Sequence, residues 1–443
     1  MLAPVQPALC PLPSLRNRSP PPLRAVSHGT EARPATMQLG LLLCLMLLSP
    51  QVATFRRHHS QEVKKRVKES PLVATVSPCS KDFTFDLYRA LAAAAPDQNI
   101  FFSPLSISIT LAVLSLGAQA NTKAQILEGL GLTQQGCPEE EPHEAFQQLL
   151  RELGQPREDM QLSLGNALFV GLTVPIREAF LSAMRTLYLA DTFPTNFGDP
   201  AGAQRQINDY VAKETKGKIV DLVKDLDSTE IMVMVNYIFF KAKWKKGFDQ
   251  KSTREEDFYV TPETVVRVPM MVSENRYHYL LDRNLSCKVV GLPYQGNASA
   301  LLILPSEDGM AQVESGLNEN LLRKWLKLLT KRQLELYLPK FSIEGSYQLH
   351  KVLPKLGIRD VFTSHADLTG ITNHSNIHVS QMVHKAVVEV NEAGTKAAAA
   401  TGIIFTFRSA RIGPQKVMFN RPFLMAIVER SRDILFLGKV TCP

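Results

Sequence analysis

The chain has 443 residues, 45% of them hydrophobic and 21% charged, with a formal net charge of +8. These proportions are ordinary for a globular protein with a large core, and they exclude a chain that is disordered throughout. The length allows one large domain or two or three average ones. The basic balance favours polyanionic partners, without choosing among nucleic acid, acidic lipid and sulfated glycan.

Three segments precede the part that we expect to fold. Residues 1–36 are rich in proline and arginine and lack periodicity, which is typical of disorder. Residues 37–53 contain an apolar core from Leu39 to Leu48, which is too short to span a bilayer and typical of a signal peptide. Because such a signal is normally N-terminal, we expect residues 1–36 to be an alternative or wrongly assigned extension. Residues 54–78 form a basic tail.

The leader predicts a secreted, extracellular protein. No later run is long and apolar enough for a membrane helix, so we do not expect a transmembrane protein. Four cysteines remain after the leader, too few for a disulfide framework: Cys79, Cys137, Cys287 and Cys442. Three acceptor sequences predict N-glycosylation, at Asn284, Asn297 and Asn373.

Helical patterns fill the first part of the folded chain, and strand patterns fill the rest. The predicted helices cover 81–95, 103–119, 121–130, 139–153, 177–191 and 203–217. Ser103 and Asn121 are placed as N-caps, with Pro104 at a first helical position. The predicted strands cover 231–244, 264–272, 275–281, 287–294, 299–305 and 334–343, with a final hairpin over 416–440. Helices followed by strands, without regular alternation, indicate the α+β class.

Motifs of catalysis are absent from the sequence. It contains no GxSxG, HExxH, Walker or GxGxxG motif, and its ten histidines form no metal-ligand spacing. The sequence therefore predicts no enzyme, no metal site and no resident cofactor.

Five long motifs stand out in the folded part of the chain: NIFFSPLSISITLAVLSLGA, VNYIFFKAKW, LPKFSIEGSYQLHKVLPKLGI, VHKAVVEVNEAGTKAAAATG and FNRPFLMAIV…ILFLGKV. In this order they resemble the serpin family and, within it, the antitrypsin-like group. The resemblance covers residues 79–443 and implies one monomeric domain. In that domain, helices surround a large central mixed β-sheet with smaller sheets, and a reactive-centre loop at about 392–414 is exposed.

The resemblance implies that this loop is bait for a protease. A trypsin-like enzyme would pair its acidic pocket with Arg408, attack its carbonyl and cleave before Ser409. The freed loop would then insert into the central sheet and distort the acylated protease. Gly394 to Arg408 is fifteen residues, about 50 Å when extended. The large Phe407 should disfavour proteases with a narrow adjoining subsite.

Loop insertion requires small side chains at alternate positions, because every second residue of the new strand enters a packed core. Glu392 precedes this hinge, and Gly394 gives it backbone freedom. The residues of core-facing parity are small: Thr395, Ala397, Ala399 and Thr401. By resemblance, four residues form a polar shutter beneath the sheet: Ser103, Ser106, Asn236 and His384. Trp244 matches the breach, where insertion begins.

Basic residues cluster in the stretch NLLRKWLKLLTKRQ. Helical spacing places Arg323, Lys324, Lys327 and Lys331 on one face, opposite an apolar face, and Arg332 extends the patch. The generic alternative is a merely solvated helix face. The resemblance implies heparin binding here, and nucleic acid is disfavoured because the stretch has no aromatic stacking array.

The sequence thus predicts a suicide-type inhibitor of arginine-specific serine proteases, modulated by heparin-like glycosaminoglycans. The resemblance implies activated protein C, thrombin, kallikreins, urokinase or acrosin as targets. The alternative is a non-inhibitory serpin that carries a small hydrophobic ligand, but its hinge would often be bulky, charged or proline-containing. Retinoids and anionic phospholipids are implied only by the resemblance, since no motif indicates them.

Overall fold

The structure is a computed structural model that describes residues 83–132, 141–393, 413–429 and 433–443. The predicted leader, the basic tail, Cys79, Cys137 and the loop residues Gly394, Thr395, Ala397, Ala399, Thr401, Arg408 and Ser409 lie outside these ranges. All described residues fall in one compact unit, Glu69–Pro443. Among them, no helix is both long enough and apolar enough to cross a membrane.

Helices and strands alternate irregularly along the described chain, in agreement with the α+β prediction. The α-helices are α1 Phe83–Ala94, α2 Pro104–Gly117, α3 Ala120–Gly129, α4 Glu141–Leu153, α5 Glu178–Tyr188, α6 Pro200–Glu214, α7 Met310–Gly316, α8 Glu319–Leu328 and α9 Leu349–Val352. Short 3₁₀ helices cover Gln250–Ser252, Leu353–Leu356 and Asp360–Phe362.

The strands form two sheets. They are β1 Ile100–Phe102, β2 Met160–Gly171, β3 Asp191–Thr195, β4 Met232–Ala242, β5 Arg254–Tyr259, β6 Val265–Asp282, β7 Cys287–Pro293, β8 Ala298–Pro305, β9 Thr330–Pro339, β10 Phe341–Gln348, β11 Gln381–Val390, β12 Gln415–Met418, β13 Phe423–Glu429 and β14 Asp433–Val440. The five-stranded sheet has the order β10-β11-β4-β2-β3. The nine-stranded sheet has the order β1-β14-β13-β8-β7-β6-β9-β12, with β5 paired to β6.

Strand β4 is the central strand covered on both faces that its apolar sequence predicts. Ten of its eleven residues are buried. On one face, Val233 and Val235 pack in a cluster with Ile207 of α6. On the other face, Met234 and Phe240 belong to the clusters that fill the space towards the remaining helices and the nine-stranded sheet. Anything inserted beside β4 must therefore fit two packed layers.

Helix α2 begins as predicted, and α3 does not. Ser103 Oγ accepts the Ser106 backbone N–H at 3.1 Å, and Pro104 is the first helical residue. The predicted N-cap Asn121 is wrong, because α3 starts at Ala120 and the Asn121 amide donates to Asp360 at 2.6 Å. The carboxylate of Asp360, far away in the sequence, binds this amide instead. The N-cap residue is Gln119, and its side chain makes no capping hydrogen bond.

Two strand boundaries also differ from the sequence prediction. Segments 264–272 and 275–281 join into the single strand β6, which pairs with β9 over ten consecutive residues from Met270 to Tyr279. The predicted strand 334–343 divides at Lys340 into β9 and β10, which belong to different sheets. Pattern alone marks neither change, because both depend on pairing with distant strands.

Candidate functional site: the boundary between β4 and β11

Strands β4 and β11 are parallel neighbours in the five-stranded sheet. Their register runs from Gln381 opposite Val233 to Val388 opposite Phe240. Strand β11 ends at Val390, four residues before the predicted hinge at Gly394. A chain that reverses after β11 and enters between these two strands would be antiparallel to both, which is a favourable pairing geometry. The segment after β11 would therefore have a favourable pairing geometry with both strands at this boundary.

Polar groups are buried at the middle of this boundary. His384 of β11 lies directly opposite Asn236 of β4, and both side chains are fully buried. His384 Nδ1 lies 2.5 Å from Asn236 Oδ1, and the Ser103 backbone N–H donates to His384 Nε2 at 3.2 Å. Asn236 Nδ2 donates to Ser106 Oγ at 2.6 Å. The four residues predicted for the shutter thus form one hydrogen-bonded group.

The hydrogen bonds assign the charge state of His384. Its Nε2 accepts from a backbone N–H, so the ring is neutral with its proton on Nδ1, directed at Asn236. Burial lowers the pKa of His384 to about 3. The ring also stacks on Tyr347, with centroids 6.3 Å apart. It therefore couples β11 to α2 without carrying charge at neutral pH.

Two members of this network were missed by the sequence analysis. Asn166 of β2 lies opposite Asn236, and its Oδ1 accepts from Asn236 Nδ2 at 2.8 Å. Thr110 of α2 donates to the same oxygen at 2.5 Å. An asparagine within the apolar run of β2 was the available signal, because a buried polar side chain requires a partner. The polar layer therefore crosses three strands rather than two.

Trp244, matched to the breach by resemblance, lies at the end of the boundary nearest to the predicted loop. Its Nε1 donates to the Asn391 carbonyl at 2.8 Å, and its backbone N–H donates to the Ala393 carbonyl at 2.9 Å. The buried ring stacks on Tyr294, with centroids 4.2 Å apart. The segment that follows β11 is thus bound to the segment that follows β4.

Glu392 is buried next to this tryptophan and is held by two side chains. Lys340 Nζ lies 3.0 Å from its Oε2, and Thr253 Oγ1 donates to its Oε1 at 3.0 Å. Burial opposes ionisation of the carboxyl, but hydrogen bonds from its own backbone N–H, Lys340 and Thr253 hold its pKa below the usual range. The acidic residue before the hinge therefore anchors the start of the loop.

A second carboxylate ties the boundary together below the breach. Glu389 of β11 forms an ion pair with Lys241 of β4. Its carboxylate also lies 2.6 Å from Nζ of Lys218, which belongs to the segment after α6. Burial raises its pKa, but the hydrogen bonds from these two lysines outweigh that effect and hold the pKa of Glu389 below its usual range. Sequence reasoning missed this group because its members are far apart in the chain.

The basic cluster is divided between a helix and a strand. Arg323, Lys324 and Lys327 are exposed on α8, whose Leu322 and Trp325 are buried. The prediction that Lys331 continues this helical face is wrong, because α8 ends at Leu328. Lys331 and Arg332 are exposed on β9, where pairing with β6 overrides helical spacing. Nη2 of Arg323 also lies 2.5 Å from Oε1 of Glu319, and this carboxylate partly neutralises the charge that Arg323 presents to solvent.

The predicted glycosylation sites all lie at exposed turns or loops. Asn284 is in the turn between β6 and β7, and Asn297 is in the turn between β7 and β8. Asn373 lies in the loop before β11, where its Oδ1 accepts two hydrogen bonds from Arg177. These positions are compatible with glycan attachment, which stays a prediction.

Comparison with known proteins identifies the family. Residues 79–443 match the family model described as serpin (serine protease inhibitor). The chain belongs to the serpin family. It is 71% identical over 408 residues to the plasma serine protease inhibitor of Homo sapiens, and this alignment covers 92% of the chain and 100% of the relative.

Solved structures support the same fold. Human thyroxine-binding globulin bound to thyroxine has a TM-score of 0.78 and 40% identity, and covers 84% of this chain and 100% of its own. Human glycosylated kallistatin has a TM-score of 0.77 and 44% identity, and covers 84% of this chain and 99% of its own. The family and fold predicted from the motifs are confirmed.

Proposed function

We propose that this serpin is a secreted, non-catalytic inhibitor that traps arginine-specific serine proteases as acyl-enzymes. The observation that carries the proposal is the parallel boundary between β4 and β11, with the predicted loop directly after β11. The small hinge residues suit insertion at this boundary, and Arg408 suits an acidic primary pocket. The name of the relative, plasma serine protease inhibitor, supports secretion and supports serine proteases as the class of target.

The proposed mechanism uses the geometry of the boundary. After attack on Arg408, Asn391 and Ala393 release Trp244, and the hinge that follows them enters between the strands. The group around His384 and Asn236 exchanges its hydrogen bonds as β11 separates from β4. Insertion moves the attached protease away before water hydrolyses the ester, and distortion of its oxyanion hole stops deacylation. Activated protein C, thrombin, kallikreins, urokinase and acrosin are the proposed targets.

Trapping is tested by SDS gel electrophoresis of the protein incubated with trypsin or activated protein C. We expect a stable high-mass complex that Arg408→Ala abolishes. Arg411→Ala is the matched control, since it removes a nearby arginine of the same loop and should leave the complex intact. Cleavage after Arg408 without a complex would contradict the proposal.

Heparin-like glycosaminoglycans are the proposed modulators. The exposed side chains of Lys324 and Lys327 on α8, together with Lys331 and Arg332 on β9, present one sign of charge to solvent. A sulfated chain bound there can also bind a basic protease and raise the association rate. Repeating the gel experiment as a time course with and without heparin tests this, and an unchanged rate would contradict it.

A carrier function is the second candidate. A cavity of about 370 Å³ lies between the ends of β6 and β8 and the start of β7. Leu281, Leu304 and Pro305 give it apolar walls, with Arg283 and Arg421 among its cationic lining residues. Thyroxine-binding globulin shows that a related fold carries a small ligand. Equilibrium dialysis with retinoic acid and with thyroxine tests this function, and no retention would exclude both ligands.

A further inference from the structure

A group of basic residues lies beyond α8, across the adjoining strands. His278 of β6 is opposite Lys331 of β9, and Arg276 lies two residues earlier on the same face of β6. Lys245 and Lys246 reach this area from the segment after β4. The Lys245 backbone N–H donates to the Pro293 carbonyl at 2.9 Å, and Lys246 Nζ donates to Asn275 Oδ1 at 2.6 Å. The strand patch is defined as Lys245, Lys246, Arg276, His278 and Lys331.

The strand patch adjoins the C-terminal end of α8. Gly291 of β7 is the partner of His278 on the side away from β9. A Cβ atom at Gly291 would lie 3.2 Å from His278 Cβ and 3.3 Å from Leu329 Cδ1. His278 and Leu329, the C-cap residue of α8, therefore meet over this glycine. The exposed Lys327 precedes Leu329 by two residues and the exposed Lys331 follows it by two, so basic residues flank this contact along the chain.

The charges that face His278 are mostly positive. Lys331 approaches from β9 and Lys245 from the segment after β4, while Gly291 of β7 contributes no charge. Burial lowers the pKa of this half-buried imidazole, and the two lysines lower it further. Two carboxylates lie on the same face of β6, each four residues from His278. Glu274 accepts a hydrogen bond from Gln333, and the buried Asp282 accepts one from Trp325 Nε1 of α8 at 2.8 Å. These two carboxylates mark the two ends of the patch along β6.

We propose that a sulfated polyanion bound along α8 continues onto the strand patch, and that protonation of His278 tightens this binding as the pH falls. The inference rests on the proposed heparin function and adds to it a path and a regulation. The path turns away from the helix axis and follows Lys331 towards Lys245 and Lys246, which adjoin Trp244 at the breach.

The sign of the pH effect follows from charge linkage. Without polyanion, Lys331 and Lys245 disfavour a third positive charge between them, so His278 is neutral at pH 7.4. Sulfate groups neutralise the two lysines and favour the charged ring, so binding raises the pKa of His278 and takes up a proton. Sulfates, lysines and arginines keep their charge between pH 6.0 and 7.4. For one proton, affinity then increases by at most about tenfold per unit decrease in pH.

The test measures the Kd for heparin of one chain length in 0.15 M NaCl at pH 7.4 and pH 6.0, with the full chain. We expect wild type to bind more tightly at pH 6.0. His278→Gln should reduce the ratio of the Kd at pH 7.4 to the Kd at pH 6.0 by about threefold. His365→Gln, which removes an exposed histidine from a turn outside the strand patch, should keep the wild-type ratio. Thermal unfolding of each variant checks that it is folded.

A second variant tests the path independently of His278. Arg276→Gln combined with Lys246→Gln should weaken binding at both pH values and reduce its dependence on salt. Unchanged affinity in this variant, or a wild-type pH ratio in His278→Gln, would overturn the strand patch while the α8 site stands. If wild type binds no heparin at either pH, the proposed modulation fails together with this extension.

Discussion

Lys241 and Glu389 form an ion pair between β4 and β11, one residue beyond the last paired residues Phe240 and Val388. A strand inserted at this boundary would double the spacing of the two strands from about 4.8 Å to about 10 Å. The inserted strand would lie between the two side chains, so their present direct contact would be lost. The ion pair is therefore an interaction of the closed sheet that the proposed insertion would break.

Glu389→Gln should accelerate insertion. The substitution removes the charge that holds Lys241 and Lys218, and it should lower the free energy of unfolding by about 0.5–1 kcal/mol because the pairs are partly exposed. The rate of loop insertion after protease attack should rise, which lowers the number of inhibitor molecules consumed per protease trapped. Glu344→Gln is the control, since Glu344 pairs with Lys385 at 3.2 Å between β10 and β11, which insertion does not separate. Equal effects of both variants would contradict this role.

The effect of a hinge substitution should depend on which face of the inserted strand the residue would occupy. Ala397→Glu places a charge at a position that we expect to enter the core, so insertion should slow and the protease should cleave and leave. Ala398→Glu has the same charge and size one residue later, on the opposite parity, and should leave the complex largely intact. The ratio of complex to cleaved inhibitor on a gel measures the difference. Equal loss in both variants would show that the hinge does not insert as a regular strand.

Acid should destabilise the closed sheet through His384. The folded pKa of about 3 lies below the unfolded value near 6.5, so the unfolded chain binds the extra proton between these values. The stabilisation is present above pH 6.5 and is lost as the pH falls, by on the order of 4 kcal/mol at pH 3. His384→Gln should be less stable at pH 7.4 but should lose less stability on acidification. Thermal unfolding from pH 7.4 to 4.5 measures this, and parallel pH curves for wild type and variant would refute it.

The lysines of α8 should control the salt dependence of heparin binding. Lys324→Ala with Lys327→Ala should weaken binding in low salt and flatten the plot of log Kd against log salt by about one unit per lost contact. Lys213→Ala with Lys216→Ala removes two exposed charges near the end of α6 and matches the change in net charge. If this control weakens binding equally, net charge rather than the α8 surface would account for the affinity.

Of the two strands at this boundary, the sequence analysis predicts β4 but neither β11 nor the pairing between them. The apolar run of β4 predicts a central strand, and the family motifs identify His384 and Asn236. Asn166 was not predicted, because its role depends on the register that places it opposite Asn236. The end of α8 carries no glycine or proline signal, so only pairing with β6 reveals that Lys331 belongs to a strand.

Glu389 has a second partner, Lys218, which connects the segment after α6 to strand β11. Lys218 reaches Glu389 from that segment, and Lys385 Nζ returns from β11 to the Val220 carbonyl at 2.9 Å. The two bonds run in opposite directions and fasten this covering segment to the strand that the proposed insertion displaces. On the proposed mechanism, an antibody or small molecule that locks the segment onto β11 should convert the inhibitor into a plain substrate without touching the predicted loop, its bait or the protease.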